Sequence, residues 1–273
     1  MEGVTINRSD SYYDENLMVK NRNRRVGDVL TNYIHPLASL GAGCEIGFFS
    51  VVGKNVTIGS GVHIGNCVTI HPGSVIRENC VIGDNCVIGK QPHPGATSRR
   101  RNDDDLRPPV IGRGCVLGSG VVLYAGLTMD QEVMVGDLAS VRERCAIRRR
   151  VIVGRGVALE NDVVVGENAK IQTGAYLTAH TVVGAGAFIA PMVITTNDNR
   201  MGRDEDSSCR LSGPRIDKNA RVGAGALLLP GVAIAPETFV AAGSLVTGDT
   251  RPGAVFMGRP ARYVRPVPEV EKR

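Results

Sequence analysis

The chain has no tryptophan, and aromatic residues make up only 4% of its 273 positions. A core of this size without aromatic filler must be packed by aliphatic side chains in some regular way. Long hydrophobic runs are also missing. Stretches such as Ala226 to Leu229 are short and broken by Gly or Pro, which excludes a membrane-spanning helix. The opening MEGVTINRSDSYYDEN lacks the basic-then-apolar pattern of a secretory signal, so a cytoplasmic protein is expected. The seven cysteines form no CxxC pair and no Cys/His set with zinc spacing. Free thiols in a reducing compartment, and no metal, are the expectation. The net charge of +5 suits anionic small molecules, and the basic runs have no interleaved aromatics, so nucleic acid is not an expected partner. With 42% hydrophobic and 22% charged residues the chain is not of the disordered type.

What the sequence does have is a repeat of six. Aliphatic residues recur from Ile34 through Leu40, Ile46 and Val52 to Ile88, then from Ile111 to Ile189, then from Ile216 to Val246, thirty positions in all. Fourteen of them are followed by Gly, as in Ile58-Gly59 and Val222-Gly223. A period of six fits neither a helix nor a long flat strand. It fits a triangular solenoid with a short strand on each side and a tight, Gly-permitted turn at each corner. Three hexads make a coil, giving about ten coils and a prism about 48 Å tall. Cys44, Cys80, Cys86, Cys115 and Cys145 each stand two positions before a repeat aliphatic, a slot expected to be small and inward-facing.

Two polar segments interrupt the repeat. Loop one is KQPHPGATSRRRNDDDLRPP, Lys90 to Pro109; loop two is TNDNRMGRDEDSSCRLSGPR, Thr196 to Arg215. Structureless stretches of this length within a domain are usually functional. Loop one follows the tenth hexad and loop two the twenty-fifth. The difference is divisible by three, so both leave the same corner, five coils or about 24 Å apart. A groove between them could hold an extended ligand.

The hexad pattern over residues 34–263 resembles the hexapeptide-repeat transferases. The resemblance implies an all-β fold, a left-handed parallel β-helix; the left hand comes from the resemblance alone, since general crossover rules favour the right. It divides the chain into an N-terminal cap or extension (1–33), a β-helix acyltransferase domain (34–263) and a tail (264–273). It also implies a homotrimer with sites at subunit interfaces. Prisms with flat faces gain buried area by packing side by side.

The segment GAGALLLPGVAIAPETFVAAGSLVTGDTRPGAVFMGRPARYV, residues 223–264, resembles the acyl-CoA-binding end of these enzymes. Small residues there would let a pantetheine arm lie against the coils and bond exposed backbone amides. By position, Ala224 and Ala242 would make those contacts, with Thr247 and Arg262 near the nucleotide end. Gly248 stands where the family often has a basic residue; Arg251 or Arg259 could substitute.

Thr196-Asn197-Asp198 opens loop two. In many family members a catalytic His stands where Asp198 stands. The TND version resembles the branch that N-acylates nucleotide-linked amino sugars (dTDP or UDP). A hydroxyl needs a base to become a nucleophile, whereas a neutral amine needs positioning and a place to discard a proton. Asn197 and Asp198 could orient the amine, and His180, one coil earlier, could take the proton. His93 and the run Arg99, Arg100, Arg101 in loop one are candidates for the sugar nucleotide, the arginines as a diphosphate clamp. Arg148-Arg149-Arg150 at a coil corner is a weaker candidate for the same role. The competing functions are O-acetylation of a sugar or antibiotic, a γ-type carbonic anhydrase with three His ligands, and a non-catalytic scaffold. The five His, at spacings of 28, 8, 22 and 87, lack the paired set that the second would need.

Overall fold

A computed structural model describes residues 32–96, 98, 106–203 and 211–272. Thirty-one short strands run from Tyr33–Ile34 to Leu245–Val246, most of them two residues long. Every third strand pairs in parallel, producing three sheets. Sheet A begins at Tyr33–Ile34, sheet B at Ser39–Leu40 and sheet C at Glu45–Ile46; they hold 11, 10 and 12 strands. The architecture matches the left-handed β-helix. Ten full coils and one further strand precede a C-terminal hairpin, Ala254–Gly258 with Ala261–Pro266, whose antiparallel pairing brings sheet C to twelve. Among the described residues, no helix is long and apolar enough to cross a membrane.

The core is the stack of repeat aliphatics. Within an uninterrupted stretch each lies over its equivalent 18 residues on, as Val141 over Leu159 and Ile147 over Val165. Ile58, Ile70, Ile88, Leu123, Leu159, Ile171 and Leu177 are all fully buried. Each contributes about 1.5–3 kcal/mol on leaving water, and the column needs no aromatic. The cysteine slot is inward as expected: Cys80, Cys86, Cys115 and Cys145 are buried, Cys44 half-buried. Their thiols bond the carbonyl of the next coil, Cys80 Sγ to Gly112 O at 3.1 Å and Cys145 Sγ to Glu160 O at 3.0 Å.

The glycines that follow the aliphatics have a different reason from the one expected. Gly89 aside, they are not the left-handed turn residues. At Gly59 an added Cβ would lie 2.6 Å from the Glu78 amide nitrogen, so Gly there permits close approach of coils. The left-handed position falls later in each corner, and residues such as Asn79, Asp162 and His180 occupy it as well as Gly. Asn and Asp tolerate that conformation best among side-chain-bearing residues.

Both loops leave the corner between sheets A and B, fifteen strands apart, as expected, although only fourteen repeat aliphatics lie between them. The last strand before loop one, Val87–Lys90, and the last before loop two, Ile194–Thr195, both belong to sheet A. The second shows why thirty aliphatics give thirty-one strands. Its inward residue is Thr195, which is buried, where the pattern calls for an aliphatic. In uninterrupted coils the residue after the inward aliphatic donates its N–H to the next inward carbonyl, as Glu160 does to Leu177. At this rung the Thr178 N–H instead donates to Thr195 Oγ1 at 2.7 Å. The hydroxyl replaces the ladder carbonyl and releases the backbone to turn into loop two. Thr195→Val is therefore expected to cost about 1–3 kcal/mol, the penalty of a buried N–H without a partner. Chemical denaturation would measure it; a variant as stable as the parent would contradict this role.

Candidate active site

The roots of the two loops define a stretch of the A–B edge. Loop one rests on the Ala125–Gly126 turn: Ala125 N donates to Lys90 O, and Gly126 N donates to Arg107 O at 2.6 Å. Loop two rests on the Ala179–His180 turn: Asn197 Nδ2 donates to Ala179 O at 3.4 Å, and Ser212 N donates to Asn197 O. A Cβ on Gly213 would overlap the backbone of His180 and Thr181, so this side of loop two lies directly on His180. The loops leave strands five coils apart, but their roots are separated by only three coil steps, about 14 Å.

Between the roots the corner carries a ladder at 18-residue spacing, Arg144, Asp162 and His180. Arg144 Nε and Nη2 donate to the two carboxylate oxygens of Asp162, each at 2.7 Å, a bidentate pair. Asn161 Nδ2 donates to Asp162 Oδ2 at 2.7 Å, and His180 Nδ1 stands 4.0 Å from the same oxygen. The His180 side chain is itself exposed. Alongside, Arg142 donates to Glu160 at 3.0 Å and to the fully buried Glu143 at 3.2 Å. The Arg142 guanidinium and the Lys90 ammonium both lie over the Tyr124 ring, at 5.5 and 5.2 Å from its centroid. Burial, and then the nearby Glu160 carboxylate, push the Tyr176 phenol up, so it remains a proton donor at neutral pH.

Burial alone would raise the Asp162 pKa. The bonds from Arg144 and Asn161, with the Arg144 and His180 charges, outweigh it and hold the carboxyl below its usual range. A folded pKa below the unfolded value adds stability that is present above about pH 4 and lost as pH falls through the folded value. Asp162→Asn is expected to destabilise at neutral pH by an amount that shrinks below pH 4. A denaturation series across pH would show it; a pH-independent gap would contradict it.

Asp198 is half-buried and turned into its own loop. Its Oδ1 accepts from Arg200 N at 2.7 Å and its Oδ2 from Gly202 N at 2.8 Å. The positioning of Asn197 and His180 at one turn agrees with their spacing; Asp198 departs from the stack with the loop. His93 is exposed in loop one, beside Lys90 and His71. Arg99, Arg100 and Arg101 lie outside the described residues, as do residues 1–31 of the expected cap. Arg148, Arg149 and Arg150 sit on the B–C corner, away from both loops. Arg149 and Arg150 pair with Glu167 at 2.7 and 3.1 Å, an exposed structural network.

The residues expected to hold the thioester lie on another edge. Ala224 and Ala242 are exposed turn residues between sheets C and A, and Gly243 N bonds Ala224 O. Gly258 N donates to Ser244 Oγ at 3.3 Å, which brings the Arg259–Pro260 hairpin turn and the exposed Arg262 to the same edge. Thr247 follows the last sheet A strand and stands on the far side of that face. Arg251 stacks on Tyr263 at 3.5 Å instead of reaching the Gly248 position. A single chain therefore does not bring the Asn197–Asp198 turn and the small-residue edge together. The turn pairs 179–180 and 224–225 follow strands of different sheets, and sheet A separates them.

A corner ladder, an inward aliphatic every six residues and three parallel sheets decide the architecture. The chain is a parallel β-helix built on a six-residue repeat. A family model described as the GMPPB C-terminal domain matches residues 29–129. A putative serine acetyltransferase of Schizosaccharomyces pombe is 45% identical over 65 residues, 24% of this chain and 23% of that protein. A 2,3,4,5-tetrahydropyridine-2,6-dicarboxylate N-acetyltransferase of Staphylococcus aureus is 39% identical over 56 residues, 20% of this chain and 23% of the relative. The chain thus spans about a quarter of the length of these curated relatives. Among solved structures, the UDP-N-acetylglucosamine acyltransferase of Francisella novicida is 18% identical with a TM-score of 0.44, covering 88% of this chain and 70% of that one. An N-acyltransferase of Bacillus cereus, AntD, solved with dTDP-4-amino-4,6-dideoxyglucose and coenzyme A, is 14% identical with a TM-score of 0.35, covering 59% of this chain and 84% of that one.

Proposed function

We propose that this hexapeptide-repeat chain transfers an acyl group from acyl-CoA to the amine of a dTDP- or UDP-linked deoxyamino sugar, in the cytoplasm. The observation that carries the reading is the Arg144–Asp162–His180 ladder, flanked by the roots of two long polar loops. The local relatives, one a putative acetyltransferase and one an N-acetyltransferase, support the reaction class. The neutral amine attacks the thioester carbonyl; the C–N bond forms and the C–S bond breaks. The His180 imidazole takes the proton the amine loses, and Asp162 stabilises the imidazolium that results. That proton then passes to the departing thiolate. Asn197 orients the amine, Asp198 holds the loop-two backbone and brings its charge to that amine, and a backbone N–H stabilises the oxyanion.

The thioester arm lies along Ala224 and Ala242, with Arg259 and Arg262 at its phosphate end. Because that edge and the His180 edge belong to opposite margins of sheet A, the site is completed between two copies of the chain in a trimer. An exposed apolar column on sheet C, Val81, Val116 and Met134, supports such packing.

Incubation with acetyl-CoA and dTDP- or UDP-amino sugars tests the reading. Thiol release with an amide product is expected; no thiol release with any of them would overturn it. A hydroxyl acceptor is the second reading, because a His beside a carboxylate is suited to deprotonating one. An ester product, labile to hydroxylamine, would select it.

A further inference from the structure

A second feature of the A–B edge lies below loop one. The hollow there is lined by His71, Val87, Lys90, Gln91, His93 and Val122, with a volume of about 430 Å³. The backbone builds it. At the strand Val87–Lys90 the pairing with Val122–Tyr124 slips by one: Ile88 pairs with Leu123, and Lys90, not Gly89, pairs with Tyr124. The cause is Gly89, whose φ of +85° makes a bulge. A bulge re-aims the next side chain, and here it places the Lys90 ammonium over the Tyr124 ring. Gly89 itself leaves space above His71. An added Cβ would lie 3.0 Å from the His71 Cβ and 2.7 Å from Ser74 Oγ.

The chemistry of the lining is one-sided. It offers an ammonium, two imidazoles and an amide, over a floor of two valines. Among the described residues no carboxylate lines it, and none pairs with Lys90. We infer that this hollow is a phosphoryl-binding subsite, with Lys90 as its charge and His93 and Gln91 as its hydrogen-bond donors. Burial, and then the Lys90 charge, push His71 down. The Lys90 ammonium is then the charge that gains from a negative group in the hollow. Two sources present that chemistry, the diphosphate of a nucleotide-linked sugar and the phosphates of coenzyme A. The inference stands on the hollow alone and does not need the acyl-transfer reading.

Calorimetric titration of the full chain with pyrophosphate, without any acyl donor, tests it. Saturable binding is expected. Lys90→Ala should weaken it at least tenfold and Gln91→Ala severalfold, while Lys170→Ala on sheet C, a matched loss of charge, should leave it unchanged. Tenfold corresponds to about 1.4 kcal/mol, within reach of a single charge-assisted bond. Displacement of pyrophosphate by dTDP or UDP, but not by thymidine or uridine, assigns the subsite to the sugar nucleotide. Displacement by coenzyme A alone assigns it to the thioester. Absence of pyrophosphate binding, or equal weakening by Lys90→Ala and Lys170→Ala, would overturn the subsite. Acyl transfer measured separately keeps this failure distinct from a failure of the proposed reaction.

Discussion

His180→Asn is expected to lower kcat by about 10²–10⁴-fold, the usual range for loss of a general base, with little change in stability. The second half of that expectation follows from the backbone. His180 occupies a corner with φ of +65°, and its side chain is 46% exposed. Asn is among the residues that adopt this conformation most readily, so the substitution keeps the turn. It also keeps the backbone bond from His180 N to Asn161 O. What it removes is the imidazole ring held 4.0 Å from Asp162. Steady-state kinetics with a melting curve on the same preparation separates the two effects. Unchanged kcat in a stable variant would make His180 an ordinary solvated corner residue.

Asp198→Ala is expected to lower kcat by about 10²-fold or more and to raise the KM for the acceptor. Both Asp198 oxygens hold backbone amides of loop two, those of Arg200 and Gly202. Such a cap contributes about 1 kcal/mol to local order. A 10²-fold loss corresponds to about 2.7 kcal/mol. The comparison decides between two roles. If Asp198 only shapes the loop, the kinetic loss should stay near the cap's value, less than about tenfold. If it presents the loop and its own charge to the amine, the loss should exceed that value clearly. Asp198→Asn keeps one acceptor oxygen and should fall between the parent and Ala. Equal turnover in all three would remove Asp198 from the site.

Much of the fold was legible because the six-residue period is a geometric constraint. One inward residue per side returns every six positions, and an interval of fifteen slots between the loops fixes their shared corner. The aliphatics supply only fourteen of those slots; Thr195 fills the fifteenth with a hydroxyl, and only the hydrogen-bond ladder reveals why. The glycines misled for a similar reason. Gly59 and its equivalents mark close approach of coils, while the left-handed corner position accepts Asn, Asp and His. Part of the candidate site was legible. A spacing of 18 sets Asn197 over Ala179, next to His180, and the same arithmetic applied backwards from His180 reaches Asp162 and Arg144. Glu143 and the Lys90 bulge carry no such signal, since burial of a carboxylate and slippage of a pairing depend on neighbouring coils. The separation of Ala224 and Ala242 from the Asn197 turn depends on which sheet precedes each, and the loop-two insertion disguises that in the linear sequence.

Co-assembly of two inactive variants, His180→Asn and Ala242→Arg, tests most directly whether one site is built from two chains. Each variant alone should be nearly inactive. In a cyclic trimer, any mixed assembly contains one interface where an intact His180 edge meets an intact Ala242 edge. Random one-to-one mixing should then restore about a quarter of the parent activity. No recovery in verified mixed trimers would contradict a shared site, and with it the proposed meeting of His180 and the thioester.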